Sequence, residues 1–244
     1  MNEWYKEDLA YIHDVGHADY ALKSAPGILE LFKRNGTADG LIVDLGCGSG
    51  LWAAELVKAG YKVLGIDISE AMIGIAKRRA PQAEFRIESL FNVVIPRCNA
   101  VTSIGECFNY LFDSANTRQP LVKIFRRVYN ALAPGGLFIF DIAEPGQLLK
   151  DDTGKAFREG EDWIVLVEKR EDRKQNLFTR RIISFRQSGK HYRRSEETHI
   201  QRLYRSTDIA RELRQTGFRV RIVRSYGDYK LPRAHVAFIA RKPD

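Results

Sequence analysis

Val43-Asp44-Leu45-Gly46-Cys47-Gly48-Ser49-Gly50 is the stretch whose reading decides the fold of this chain. Leu41 to Leu45 has the length and apolar character of a buried strand, and Gly46 to Gly50 reads as a tight turn. Leu51, Ala54, Leu56 and Val57 then recur at helical spacing, and Gly60 is placed to end that helix in the left-handed conformation. Glycines at 46, 48 and 50 let the backbone turn sharply and approach a ligand with no Cβ in the way, while the start of the helix offers free N–H groups to an anion. One reading is a nucleotide-like ligand; the other is a turn used only for tight strand-to-helix packing.

Working outward, Tyr61 to Ile66 reads as the next strand, and Asp67 follows about twenty residues beyond the glycines. An acidic side chain there can accept hydrogen bonds from both hydroxyls of an adenosine ribose, or it can cap the helix that follows. Ser69 is the better cap for that helix, whose inward positions are Met72, Ile73, Ile75 and Ala76 and which Pro81 stops. Glu84 to Ile87, Asn99 to Ile104 and Leu137 to Ile142 read as further strands, with a helix over Pro120 to Leu132. Ser206 or Thr207 can cap a later helix that Gly217 closes, and Arg219 to Ser225 and His235 to Ala240 bring the strands of this sheet to seven. Strands alternating with amphipathic helices predict a parallel α/β sheet. Trp163 to Lys169, Leu177 to Phe185 and Lys190 to Tyr204 instead alternate without helices, and Ser188-Gly189 can turn a hairpin, which predicts an antiparallel insertion. Met1 to Arg34 reads as helical.

The expected organisation is one domain over 1–244: a helical cap (1–40), a cofactor-binding core (41–150), the β insertion (151–205) and a C-terminal helix with strands (206–244). No apolar run approaches the roughly eighteen residues needed to cross a bilayer, and Met1 to Leu9 lacks the apolar stretch of a secretory signal, so a cytoplasmic address and no membrane partner are expected. Cys47, Cys98 and Cys107 match no metal or redox spacing, which predicts reduced thiols and no metal. The net charge of +8 admits a nucleic-acid partner, but much of the excess lies between Arg170 and Arg224, where basic and apolar residues alternate as on a solvated face.

With Asp44 to Gly50, Asp67 and the Leu132-Ala133-Pro134-Gly135-Gly136 run before a strand, the chain resembles the class I S-adenosylmethionine-dependent methyltransferases, most specifically from Leu41 to Ile142. The resemblance implies a Rossmann-like, doubly wound, seven-stranded sheet whose last strand, here His235 to Ala240, is antiparallel and lies beside the fifth, with the β insertion following strand five. It implies that S-adenosylmethionine is the cofactor and S-adenosylhomocysteine the product. Gly46, Cys47 and Gly48 would then meet the methionine moiety and Asp67 the ribose; Ile68 and Met72 would flank the adenine, with Glu88, Ser89 and Leu90 at its edge. Ser103, Ile104 and Gly105 would lie beneath the sulfonium, and Tyr11 would close over the cofactor from the N-terminal segment.

Methyl transfer is an in-line displacement in which alignment alone can be worth about 7 to 11 kcal/mol, so no fixed base is demanded. If the acceptor must lose a proton, His13, Glu106 and Tyr110 are the catalytic candidates, and His13, Glu106, Asn109 and Tyr192 the candidates for lining the acceptor site. His191 and His199 read as decorating strands, and Tyr204 as a further pocket candidate. The insertion offers a lid or a homodimer surface; alternatively its strands extend the main sheet and bury Trp163, Val165, Phe178, Ile183 and Phe185. A small-molecule acceptor is favoured over RNA. The rivals are an RNA-directed methyltransferase, a cofactor-binding protein without turnover and a nicotinamide-dependent oxidoreductase. The last expects its third glycine three residues after the second, and here it stands two after.

Overall fold

The computed structural model describes residues 4–113, 118–149 and 153–244. The expected helix over Met1 to Glu3 and the first residues of the insertion, Asp151 and Asp152, lie outside the described residues. The N-terminal helical stretch is two helices, α1 (Glu7–Gly16) and α2 (Asp19–Arg34). They are followed by β1 (Leu41–Leu45), α3 (Leu51–Lys58), β2 (Lys62–Asp67), α4 (Glu70–Arg79), β3 (Glu84–Ile87), β4 (Cys98–Ser103), α5 (Arg118–Ala131) and β5 (Leu132–Ala143). The local signals act as the side chains dictate. Gly50 and Gly60 bracket α3 at φ +75° and +91°, and the Met72 N–H donates to Ser69 Oγ at 3.2 Å to cap α4.

The insertion comprises β6 (Thr153–Glu159), β7 (Trp163–Asp172), β8 (Leu177–Ser188) and β9 (His191–Arg202), and the chain closes with α6 (Ser206–Thr216), β10 (Arg219–Val223), the short pair β11 (Ser225–Tyr226) and β12 (Tyr229–Lys230), and β13 (His235–Arg241). The principal sheet has seven strands in the order β10-β13-β5-β4-β1-β2-β3, and β13 runs antiparallel to both neighbours. One apolar layer beneath it joins Val43, Phe108, Phe125, Phe140 and Phe238; the other, above, joins Ile42, Phe32, Trp52, Ile73 and Ile139. Each large side chain buried there contributes about 1.5 to 3 kcal/mol relative to exposure.

Three expectations are corrected. The insertion does not extend the main sheet: β6-β7-β8-β9 is a separate antiparallel sheet, packed through Trp163, Val165 and Ile182 on Leu9 and Ile12 of α1. Strand β8 is apolar on both faces, so its phase is ambiguous in the sequence; Phe178, Ile182 and Ser184 are the buried set, while Ile183 and Phe185 lie on the opposite face, half-buried. Neither Ser206 nor Thr207 caps α6. Arg205 occupies that place without a side-chain cap, and the Ser206 N–H is satisfied from outside by Glu144 Oε1 at 2.9 Å.

Candidate active site

A cavity of about 670 Å³ opens at the carboxyl ends of β1, β2 and β4, where the strand order of a doubly wound sheet reverses. Its floor is the glycine turn. A Cβ on Gly48 (φ +53°) would meet nothing within 4 Å, so bare backbone faces the open space. At Gly46 (φ +77°) it would stand 2.6 Å from Cys107 Sγ, so only glycine lets the turn and the loop after β4 close together there. Asp67 ends β2 and links the two halves of the floor, accepting the Gly48 N–H at Oδ2 and the Ser69 N–H at Oδ1, both at 2.8 Å. Burial raises the pKa of its carboxyl, against the pull of those backbone donors. Each oxygen retains acceptor capacity, which suits a vicinal diol.

Ile68, Met72, Glu88, Ser89 and Leu90 line the neighbouring wall, and Ser89 Oγ donates to Asp113 Oδ2. On the other side, Ile104 and Gly105 line the cavity beyond β4. The N–H groups of Gly105 and Glu106 both donate to Asp141 Oδ1, at 3.0 and 2.6 Å, and this holds Glu106 in the left-handed region at φ +49°. Asp141 is pushed up to about 6 by burial and by Glu106.

Glu106 therefore projects into a charged cluster. Arg180 Nη2 donates to Glu106 Oε1 at 3.3 Å and to the Tyr110 hydroxyl at 2.7 Å, and His235 Nε2 faces Glu106 Oε2 at 3.5 Å. Burial alone would raise the Glu106 carboxyl, but His235, Arg180 and Gln201 outweigh it and hold it down at about 2. The Tyr110 phenol is pushed up to about 12, first by burial. His13 on α1 is lowered to about 4 by burial, His17 and Arg180, so at neutral pH it is an uncharged ring, and its Nδ1 has no hydrogen-bond partner.

The roof belongs to elements distant in sequence. Tyr5, Ile12, His13 and Tyr20 come from the N-terminal segment, and Val165, Lys169, Arg180 and His199 from the insertion. Trp4 to Lys6 is strapped down: the N–H groups of Tyr5 and Lys6 donate to Glu197 at 2.7 and 2.9 Å, and Ser69 Oγ donates to Tyr5 O at 3.0 Å. His13 Nδ1, Tyr20 Oη, Arg180 Nε and His199 Nδ1 are buried polar atoms without a partner, and all four belong to residues lining this cavity. Interiors leave few such atoms unpaired, so this clustering, with the bare Gly48 backbone and the Asp67 carboxylate opposite, fits a polar, nucleoside-bearing ligand.

Six expected site residues stand away from the walls. The Tyr11 hydroxyl donates to Asp162 at 3.1 Å beneath the Arg186 guanidinium, because it lies on the side of α1 turned to the insertion; Tyr5 takes the inward place. The Cys47 side chain packs in the apolar core, leaving only its backbone at the turn. Ser103 Oγ donates to Leu45 O at 2.7 Å within the sheet. Asn109 pins β5 to β9, donating to Ala143 O and Arg202 O at 2.9 and 2.6 Å. Tyr192 is 53% exposed beside the β8–β9 hairpin tip, and Tyr204 packs against the lower core. His199, read as surface decoration, is 0% exposed because Nε2 meets Glu197 Oε2 at 2.8 Å under the strap. Lys169 and Arg180, absent from the expected site, are legible in the alternation of Val165, Val167 and Ile182, which puts them on the inward face.

A family model described as a methyltransferase domain matches residues 16–222. A protein of Geobacillus sp. (strain WCH70), provisionally named a methyltransferase, is 34% identical over 41% of this chain and 41% of its own length. YqeM of Bacillus subtilis (strain 168), also provisionally named a methyltransferase, is 25% identical over 74% of each chain. The fold is shared with the crystal structure of an S-adenosylmethionine-dependent methyltransferase from Clostridium acetobutylicum ATCC 824, with a TM-score of 0.81, 23% identity, and coverage of 96% of this chain and 98% of that one. Among the described residues no helix is long and apolar enough to cross a membrane, and no cluster of His, Cys, Asp and Glu could hold a metal ion.

Proposed function

Since this chain belongs to the methyltransferase-domain family, the class I S-adenosylmethionine-dependent methyltransferases, we propose that it transfers the donor's methyl group to a small molecule enclosed beneath the β insertion. One observation carries the reading: the glycine turn and the strand-end carboxylate meet, Gly48 N–H to Asp67 Oδ2 at 2.8 Å, at the floor of a single roofed cavity.

In this proposal the backbone of Gly46, Cys47 and Gly48 holds the methionine moiety and Asp67 the ribose hydroxyls; Ile68 and Met72 flank the adenine, Glu88, Ser89 and Leu90 meet its edge, and Ile104 and Gly105 lie near the sulfonium. Bound S-adenosylmethionine supplies a methyl group on a positively charged sulfur. The chain's own contribution is to orient the acceptor and exclude water, which accounts for much of the acceleration expected of a bimolecular displacement. Glu106, held ionised, is a poor proton acceptor at neutral pH and orients Arg180 instead, whose Nη2 in turn holds the Tyr110 hydroxyl. His13, neutral, unpaired at Nδ1 and held at about 4 against about 2 for Glu106, is the stronger base of the two toward an amine or hydroxyl acceptor.

Enclosure argues for a small acceptor: Tyr5, His13 and the inward face of β7–β9 close over the cavity. The division into cap, core, insertion and C-terminal segment, a cytoplasmic location and a homodimer through the insertion remain parts of the proposal, with RNA as the rival acceptor. A screen of amines, hydroxylated metabolites, carboxylates and RNA with radiolabelled donor tests it. Methylation of a small molecule is the expected result; transfer to RNA alone, with steeply salt-dependent affinity, overturns it.

A further inference from the structure

We propose that the acceptor carries an oxyanion, and that Lys169 and Arg180 on the inward face of the insertion sheet receive it, with His199 beside them. This rests on the reading of the cavity as a joint donor and acceptor pocket.

The argument begins with strand register. Lys169 on β7 stands directly opposite Arg180 on β8, and Arg180 directly opposite His199 on β9. Partners in register point to the same face with Cβ atoms about 4.5 to 5.5 Å apart, so the three form one transverse row, and all three line the cavity. On β6 the place opposite Lys169 is Gly154, which puts no side chain into the row. Two cations directly opposite one another destabilise a sheet unless an anion lies between them. Arg180, with its side chain 23% exposed, has Glu106 as its carboxylate partner, and Glu106 is itself shared with His235 and Gln201. Lys169 has no ion-pair partner among the described residues; burial and then Arg180 lower its pKa. Arg180 Nε is buried without an acceptor. Glu197 accepts from His199 Nε2, which leaves Nδ1 of the neutral ring to accept a hydrogen bond from a hydroxyl or amine of the same ligand. Thus the row presents two cationic donors and one acceptor, and against the two cations the described chain sets a single carboxylate, Glu106, which is itself shared. A carboxylate or a phosphate satisfies the donors equally well in charge.

The test is calorimetry in low-salt buffer with succinate, inorganic phosphate and uncharged succinamide, each titrated into the protein both ligand-free and saturated with S-adenosylhomocysteine. Saturable binding of succinate or phosphate, and none of succinamide, is expected; whichever oxyanion binds more tightly identifies the source. Lys169→Gln should weaken that oxyanion roughly tenfold or more and leave S-adenosylhomocysteine affinity unchanged, because one charged hydrogen bond is removed from one ligand only. The variant relieves a like-charge pair, so its melting temperature in the ligand-free state should not fall. Equal binding of succinamide, no binding of either oxyanion, or an oxyanion affinity unaffected by Lys169→Gln overturns the proposal. So does a tenfold loss of S-adenosylhomocysteine affinity in that variant, which would give the row to the donor's own carboxylate. If S-adenosylhomocysteine fails to bind while the ligand-free protein still loses oxyanion affinity on Lys169→Gln, the donor reading fails and the row stands.

Discussion

Replacing Asp67 with asparagine separates ligand binding from fold at the floor of the cavity. In the native protein the two carboxylate oxygens accept the Gly48 and Ser69 N–H groups at 2.8 Å each, so truncation to alanine would strand two backbone donors and confound any affinity measurement. Asparagine keeps one carbonyl oxygen for a backbone donor and removes the charge. Because burial already disfavours that charge, its loss recovers part of the cost of the second hydrogen bond, which the amide NH2 cannot accept, and the net loss of stability should be about 1 to 2 kcal/mol. A ribose diol loses more: a hydrogen bond to a charged acceptor contributes about 1.5 to 3 kcal/mol, which corresponds to a roughly ten- to hundredfold weaker complex. Calorimetry with S-adenosylhomocysteine, beside thermal unfolding of the same preparation, reads both quantities. A dissociation constant within about twofold of the native value, with Tm retained, would refute the ribose role.

Other outcomes follow from neighbouring geometry. Gly46→Ala places a Cβ 2.6 Å from Cys107 Sγ at a left-handed φ of +77°, so it should cost about 1 to 3 kcal/mol in chemical denaturation and lower donor affinity; an unchanged denaturation midpoint would contradict this packing. For His13 the folded value of about 4 lies below the ordinary 6.5, so between those limits the unfolded chain binds more protons and stability rises with pH. His13→Gln should flatten that slope in denaturation measured from pH 4 to 7, and a slope identical to the native one would count against the neutral, buried ring. If His13 takes the acceptor's proton, kcat/KM should be level from about pH 5 upward on this limb and fall below it, and His13→Gln should remove that limb.

The local chemistry of this chain is legible in its sequence alone. An apolar run, a glycine turn, a helix closed by Gly60, an acid at the next strand end and Ser69 three residues before Met72 all act within a turn or a strand, through φ preference, side-chain period and capping, and each stands where the sequence places it. The antiparallel β13 beside β5 followed from family resemblance and agrees with the observed order. What roofs the cavity was decided by tertiary structure. The Glu106–Arg180 pair, the Tyr5 N–H to Glu197 bond and the Glu144 acceptor for α6 join residues far apart in sequence, and no local period encodes which distant partner a charged side chain will meet. For the same reason Tyr11, Ser103 and Asn109 resembled ligand contacts in sequence yet serve the scaffold, while Arg180 fell in the stretch read as a solvated face, His199 read as decorating a strand and Lys169 only as a strand end, and all three line the cavity. Alternation sorts residues onto the two faces of a sheet, and only packing decides which face is covered.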